Sequence, residues 1–182
     1  RQQTNVVETS RLDKTRDDEG QKKINQYLLI KDLGRGGFGK VKLAQDSATN
    51  AVYAVKIANK AKLKKNLFSK PGSALGALQA EIAIMKKLEH PNVVKLWEVI
   101  DDPKEDKLYL VMDLVKKGAV MSKAYWKTED KDLMDKSNIS AISNVDTSIL
   151  GEFYSGKRVL TEEKALKYFR QLILGLDYLH NH

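Results

Sequence analysis

The chain has 182 residues, no cysteine and a formal net charge of +8 at pH 7. This length suits one domain with its own core, and the lack of cysteine excludes disulfide frameworks and thiolate metal sites within the sequence. No apolar run approaches the roughly 20 residues of a membrane span, and the start has no apolar signal segment, so we expect a cytoplasmic or nuclear protein without a membrane partner. The lysines are spread along the chain without a zinc-finger, RNP or KH pattern, which argues against a nucleic-acid partner.

The first part of the chain predicts a polar arm followed by a strand. Residues 1–23 are polar and charged, and their few apolar groups predict an arm or a disordered lead-in. Residues 24–33 then read as a strand that enters a glycine-rich turn.

The glycine-rich turn spans residues 34–39 (GRGGFG) and has the spacing G-x-G-x-x-G. Dinucleotide-binding folds use the same spacing to open a helix. Here residues 40–44 (KVKLA) alternate charged and apolar side chains, which predicts a strand instead. Glycines without Cβ atoms let a backbone approach a phosphate closely. Taken alone, the glycines fit a flexible hairpin equally well.

A lone lysine lies in the next predicted strand, residues 51–57, which follows a polar turn. Lys56 shares one strand face with Val52 and Ala54. Because desolvating a cation costs several kcal/mol, Lys56 must either reach solvent or meet an anion. Together with the glycines, Lys56 favours phosphate binding.

Residues 58–72 form a basic stretch that carries Lys60, Lys62, Lys64 and Lys65. We interpret it as a solvated loop in the first place and as a docking surface for a protein partner in the second.

The next segment, residues 74–88, predicts a helix capped by Ser73. Glu81 falls at helical spacing from the apolar residues Leu78, Met85 and Leu88, which places its carboxylate in the inward-facing stripe. A buried lysine and a buried glutamate are each costly alone and tolerable as a pair. The pattern therefore predicts an ion pair between Lys56 and Glu81.

The remaining segments complete a sheet and begin a helical part. His90 ends the helix as a turn and packing residue, and strands are predicted at residues 93–100 and 108–112. Residues 122–158 predict a polar insertion. Thr161 caps a long amphipathic helix, and His180 and His182 are interpreted as structural. The apolar positions are Ala165, Leu166, Phe169, Leu172, Ile173, Leu176 and Leu179.

These motifs resemble the protein kinase signature. Gly34, Gly36, Gly39 and Val41 match G-x-G-x-x-G-x-V, and residues 54–56 match the V-A-I-K type strand. The resemblance implies an α+β, protein-kinase-like fold: a five-stranded antiparallel sheet with one helix, followed by the first helices of an incomplete helical large lobe. It divides the chain into a polar arm (1–23), small lobe (24–112), hinge (113–121), polar insertion (122–158) and start of the large lobe (159–182).

The resemblance also implies the site residues. Lys56 and Glu81 are the implied catalytic pair, Met85 and Leu96 belong to the regulatory spine, and the ligands of Mg²⁺ lie beyond the chain end, so no metal ligand is expected here. The residues implied to bind ATP are Leu33, Gly34, Arg35, Gly36, Gly37, Phe38, Gly39, Val41, Ala54, Lys56, Val94, Met112, Asp113, Leu114 and Val115.

The sequence ends before the H-R-D loop and the D-F-G motif of the kinase family, so we expect this polypeptide alone to be inactive. The first interpretation is a serine/threonine protein kinase; the alternative is a nucleotide-binding pseudokinase or scaffold. Residues 81–96, 98–103 and 117–121 resemble the calcium/calmodulin-dependent protein kinase kinases and the upstream kinases of AMP-activated (Snf-type) kinases. That resemblance implies a downstream protein kinase as substrate, with any calmodulin-binding segment outside this sequence.

Overall fold

The computed structural model describes residues 6–65, 74–116 and 161–181. The predicted cap Ser73, the insertion at residues 122–158 and His182 lie outside these residues. The chain divides into two compact units, one of Arg1–Leu114 with Leu166–His182 and the other of Val115–Ala165.

One sheet of eight strands dominates the first unit, in the order β1-β7-β8-β6-β5-β4-β3-β2. The strands are β1 (Val7–Thr9), β2 (Lys14–Arg16), β3 (Lys22–Ile24), β4 (Tyr27–Gly36), β5 (Gly39–Asp46), β6 (Val52–Asn59), β7 (Leu96–Asp101) and β8 (Lys107–Asp113). Strands β4 to β8 pair antiparallel and correspond to the five strands that the sequence predicts.

The prediction of only five strands, all antiparallel, was wrong. Of the two alternatives for the first segment, the disordered lead-in was wrong for residues 6–23. Three further strands come from the first 24 residues, and β1 pairs parallel with β7. Backbone pairing to the edges of an existing sheet orders this polar segment, so it needs little apolar burial of its own. The segment before β2 is held by a side chain as well, since the N–H of Leu12 donates to Asp102 Oδ2 at 3.1 Å.

The two faces of the sheet carry separate apolar clusters. Side chains alternate along β6, so Val55 belongs to one cluster and Ala58 to the other. The first cluster includes Ile24, Leu29, Tyr109 and Val111. The second includes Leu78, Ile82, Leu96 and Leu110, and it joins the sheet to a helix.

Three helices are described: α1 (Lys60–Lys65), α2 (Ala74–Met85) and α3 (Glu162–His180). The sequence predicted a loop where the structure has helix α1. Asn59 Oδ1 accepts the N–H of Lys62 at 2.9 Å and caps this helix. Thr161 caps α3 as predicted, with its hydroxyl oxygen 3.4 Å from the N–H of Lys164.

The resemblance to kinases implies that the apolar stripe of α3 is buried in the large lobe, but in the described residues this stripe is exposed. Leu166, Phe169, Leu172 and Ile173 are exposed, and Gly175 is the buried residue of this helix. A helical apolar period predicts that one face needs a partner, but it does not supply the partner. Within the part of the chain that is described, the contact surface at Gly175 is the turn at Asn92.

A buried carboxylate ties the first strands to the sheet. Glu98 is 5% exposed, and its oxygens accept hydrogen bonds from Thr9 Oγ1 (2.5 Å), Gln26 Nε2 (3.1 Å) and the Tyr27 hydroxyl (2.7 Å). Neutral donors thus replace the water that this carboxylate loses on burial.

We expect Tyr27→Phe to destabilise the full-length protein by about 1–3 kcal/mol, because the buried Glu98 carboxylate loses a donor. Urea unfolding measures the effect. Tyr109→Phe is the matched control, since Tyr109 is equally buried and its hydroxyl has no hydrogen-bond partner among the described residues. Equal losses in the two variants would contradict the role of the hydrogen bond.

Alkaline titration provides a second readout of the same contact. Burial raises the pKa of the Tyr27 phenol, and the hydrogen bond to Glu98 raises it further. The folded state therefore favours the neutral phenol, so this stability is present below the unfolded pKa of about 10 and is lost as the pH rises through the folded value. The stability difference between wild type and Tyr27→Phe should therefore shrink as the pH rises from about 10 through the folded pKa.

Candidate functional site

The register of three strands places the predicted glycine, valine and lysine side by side. Gly34 on β4 is the partner of Val41 on β5, and Val41 is the partner of Lys56 on β6. Residues opposite one another in a ladder point to the same face, so Val41 and Lys56 are neighbours. The alternation along β5 and β6 that the sequence shows is what brings them together.

The glycine-rich segment forms a tighter hairpin than the sequence suggests. Strand β4 continues through Gly36, the turn is Gly37 and Phe38, and Gly36 is opposite Gly39. A Cβ on Gly39 would lie 1.9 Å from the carbonyl oxygen of Ile57, so this position requires glycine. Gly36 and Gly37 have open space on the side where a Cβ would point, which leaves the tip of the hairpin accessible.

The predicted ion pair between sheet and helix is present. Lys56 Nζ lies 2.7 Å from Glu81 Oε1, and the two side chains are 14% and 36% exposed. The Phe38 ring, at the tip of the hairpin, has its centroid 5.1 Å from the same ammonium. Lys56 is therefore held by a carboxylate from α2 and an aromatic face from the hairpin. The contact of Phe38 with Lys56 was not predicted, because glycine spacing says nothing about where the turn side chain folds.

The buried residues of α2 determine the position of Glu81. The buried residues of this helix are Leu78 and Ile82, one helical turn apart, and Met85 is partly buried against the same cluster. The sequence interpretation placed Glu81 within the apolar stripe but missed Ile82. Glu81 instead borders the stripe, which leaves its carboxylate partly exposed and within reach of Lys56.

The apolar side chains among the residues implied to bind ATP differ in exposure. Ala54 is buried opposite Met112, and Met112 is opposite Leu96. Leu33 and Val94 are exposed apolar side chains.

The predicted hinge begins at the end of β8. The N–H of Asp113 donates to Lys95 O at 3.0 Å, so this group is already used within the protein. The Asp113 carboxylate accepts from Trp97 Nε1 at 2.6 Å and from the N–H of Lys95 at 3.0 Å. Leu114 is half-buried, and Val115, in the second unit, is exposed.

The histidine after α2 packs as predicted. The His90 ring stacks on Tyr178 of α3 with centroids 4.9 Å apart, and its Nδ1 accepts the N–H of Asn92 at 3.1 Å. The Tyr178 hydroxyl also accepts the N–H of Glu89 at 2.9 Å. These contacts fix the turn after α2 to α3, and His180 is exposed at the end of that helix.

A basic cavity of about 870 Å³ lies on the opposite face of the sheet from Lys56. Ile24, Leu29, Ile57 and Tyr109 contribute its apolar surface. Basic residues that line it are Lys14, Arg16, Lys22, Lys23, Arg35, Lys40, Lys42, Lys62 and Lys107. Three of these cations have ion pairs nearby, since Lys14 pairs with Glu105, and Lys40 and Lys42 both pair with Asp32.

Residues 6–65, 74–116 and 161–181 lack two other kinds of feature. These residues contain no group of three or more His, Cys, Asp or Glu side chains that could hold a metal ion. None of the helices described there is long and apolar enough to cross a membrane.

Comparison with known proteins gives one family. The family model described as the protein kinase domain matches residues 27–182. A probable serine/threonine-protein kinase of Dictyostelium discoideum is 38% identical over 182 residues, which is 99% of this chain and 21% of that protein.

Two further relatives carry more specific names. The calcium/calmodulin-dependent protein kinase kinase of Caenorhabditis elegans is 35% identical over 173 residues, covering 86% of this chain and 26% of that protein. SNF1-activating kinase 1 of Saccharomyces cerevisiae is 34% identical over 181 residues, covering 96% of this chain and 14% of that protein. The chain thus spans well under half the length of these relatives.

We expect Gly39→Ala to destabilise the full-length protein by about 1–3 kcal/mol, because the added methyl group forces β5 away from the Ile57 carbonyl. Gly37→Ala is the control, since the space around Gly37 is open. Thermal unfolding of both variants measures the difference. A Gly39→Ala protein as stable as Gly37→Ala would show that β5 and β6 are not as close as described.

Proposed function

The chain belongs to the protein kinase family, and from this premise we propose that it is the ATP-binding part of a serine/threonine kinase that phosphorylates another protein kinase. The observation that carries the proposal is the ion pair between Lys56 and Glu81 at 2.7 Å. An ammonium that is mostly withdrawn from water beside an accessible glycine hairpin suits a phosphate ligand.

The residues present fit ATP by their chemistry. Protein kinase domains use ATP with Mg²⁺, and ATP supplies the γ-phosphoryl group for transfer. In the proposed role, the backbone of Gly36 and Gly37 lies against the phosphates, because the space beside these glycines is open. Lys56 neutralises phosphate charge, Glu81 holds Lys56 in place, and Phe38 shields the ammonium from water.

The remaining ATP contacts are proposed from the strand positions. Val41, Ala54 and Met112 lie on the face of the sheet that carries Lys56, where they would pack against the base. Because the N–H of Asp113 is used by Lys95, an adenine edge must find its donor elsewhere in the hinge. The Mg²⁺ ligands belong to motifs of the family that are not in this sequence.

The proposed substrate class rests on the relatives. The names of two of them, a protein kinase kinase and a SNF1-activating kinase, state an action on other kinases. A folded kinase is a large substrate, so we propose that surfaces beyond the reacting side chain contribute to its selection. Calmodulin is a candidate partner through a segment outside this sequence.

The structure reduces the number of lysines that could form the candidate docking surface. Lys60, one of the predicted docking lysines, is 14% exposed and pairs with Asp101 at 2.6 Å, so it serves the fold. Lys62 and Lys64 on α1 are exposed, and no ion pair involves them among the described residues. Lys62 also lines the basic cavity with Lys22 and Lys107. We therefore propose Lys62 and Lys64 as the steering charges for an acidic surface of the substrate.

Lys56→Met tests the nucleotide role in the full-length protein. We expect kcat to fall at least about 100-fold, because the phosphates lose a preorganised charge. The loss of stability should be below the about 3–5 kcal/mol typical of a broken buried pair, since Glu81 is partly exposed. Turnover and melting temperature are measured together.

Lys60→Met is the matched control for this experiment. Lys60 has the same exposure as Lys56 and a similar ion pair, but it is not part of the proposed phosphate site. We expect a comparable melting temperature and near wild-type turnover. Equal turnover in the two variants would refute the proposed role of Lys56, and ATP binding without any transfer by the wild type would favour the scaffold function.

Lys62→Ala/Lys64→Ala tests docking. We expect about 3- to 10-fold lower kcat/KM on an intact downstream kinase at low salt, with unchanged kcat/KM on a short peptide. Lys87→Ala/Lys104→Ala removes the same charge from exposed positions outside α1 and is the control. Equal effects of the two double variants, or an equal loss on the peptide, would contradict docking at α1.

A further inference from the structure

Strand β1 lies along the outer edge of β7 and comes from the first residues of the described chain. Val7, Glu8 and Thr9 pair in parallel with Glu98, Val99 and Ile100. The Thr9 hydroxyl also donates to the buried Glu98 carboxylate, across a sequence separation of 89 residues. The strand is therefore bound to the sheet by backbone and by side chain.

The same strand contacts the end of helix α2. Glu8 Oε2 lies 2.8 Å from Lys86 Nζ, directly after the last residue of the helix. The N–H of Lys86 donates to Ile82 O at 3.0 Å, so this turn continues the helical bonding of α2. Val6 packs against the cluster that contains Leu78 and Ile82. A displacement of Glu8 would thus act on the segment that carries Glu81.

Helix α2 has a small buried surface of its own. Leu78 and Ile82 are its buried residues, and Ile82 directly follows Glu81 in the chain. Ala74, Leu75 and Met85 are only partly buried against the same cluster. A helix held largely by partly buried side chains can shift as a unit when one of its contacts is lost. A shift that moves Ile82 on the sheet also moves the Glu81 carboxylate away from Lys56, which is fixed on β6.

We propose that strand β1 positions helix α2 so that Glu81 reaches Lys56, with Glu8 and Lys86 as the positioning residues. Lys56 is on the sheet, Glu81 is on the helix, and β1 binds both elements on the opposite side from the hairpin. Release of β1 from β7 lowers the fraction of molecules with the ion pair formed. The link to turnover rests on the proposed kinase function, whereas the link to the position of α2 does not.

The exposure of β1 separates positioning from general stability. Val7 is exposed, and the Glu8 side chain is 65% exposed, so the strand adds little to either apolar cluster. An exposed ion pair is worth about 1 kcal/mol or less, which corresponds to a factor of up to about 5 in an equilibrium. Its loss can change a local equilibrium measurably while the global melting temperature hardly moves.

The test uses charge reversal in the full-length protein. Glu8→Lys and Lys86→Glu should each speed amide hydrogen exchange in α2 about 3- to 5-fold and lower kcat by a similar factor. The KM for a peptide substrate and the melting temperature should stay close to wild type. The double variant Glu8→Lys/Lys86→Glu restores an ion pair with the charges exchanged, so exchange and kcat should return to within about twofold of wild type.

A second pair of variants addresses the backbone contacts. Glu8→Pro places a proline in the middle of β1 and also removes the carboxylate, so it should speed exchange in α2 more than either charge reversal. Asp18→Pro is the control, because Asp18 follows Asp17 in a turn closed by the bond from Gly20 N to Asp17 O, where proline is favoured.

Three outcomes would overturn the proposal. They are unchanged exchange in α2 after charge reversal, a double variant as impaired as the single ones, and a Glu8→Pro protein that unfolds as a whole. An inactive wild type with fast α2 exchange in the single variants would reject the kinase function and leave the positioning role supported.

Discussion

An ion pair joins the sheet of this small domain to helix α2. Its geometry is more specific than that of an apolar contact. Lys56 comes from the central strand β6 and Glu81 from helix α2, 25 residues later, and their charged atoms lie 2.7 Å apart. Either group alone would face an uncompensated loss of hydration. The contact forms only when β6 and α2 are both in place, and the glycine hairpin then places Phe38 beside the same ammonium. The phosphate site we propose therefore depends on the whole sheet and its helix.

Much of this site was predictable because it rests on short-range patterns. The period of two in residues 40–44 and 51–57 sets which side chains share a face, and the register that follows brings Val41 to Lys56. The helical spacing around Glu81 predicts its partner correctly, although Ile82 and not Leu88 is buried beside Leu78. Phe38 was beyond reach, since the fold of a turn side chain depends on the surface it meets.

The parts that the sequence did not predict depend on distant partners. Strands β1 and β2 have three residues each and no apolar period, so only the sheet edges identify them as strands. The local sequence does not distinguish Lys60 from the other lysines of α1, because its partner Asp101 is 41 residues later in the chain. The apolar stripe of α3 was recognised from its period, but its exposure depends on which surfaces lie nearby. Local patterns thus predict element type well and tertiary partners poorly.

The two edge strands of the sheet also affect self-association of the protein. Strand β7 has four buried residues out of six, and an uncovered strand of this kind would offer its free backbone groups to a second molecule. Strand β1 occupies that position, and β2 occupies the other end of the sheet. Both are short and carry charged residues, in the sequences VET and KTR, which makes them poor templates for further strands. The polar arm therefore protects the sheet from growth by aggregation, and a protein shortened past Thr9 would expose β7 as a site of self-association.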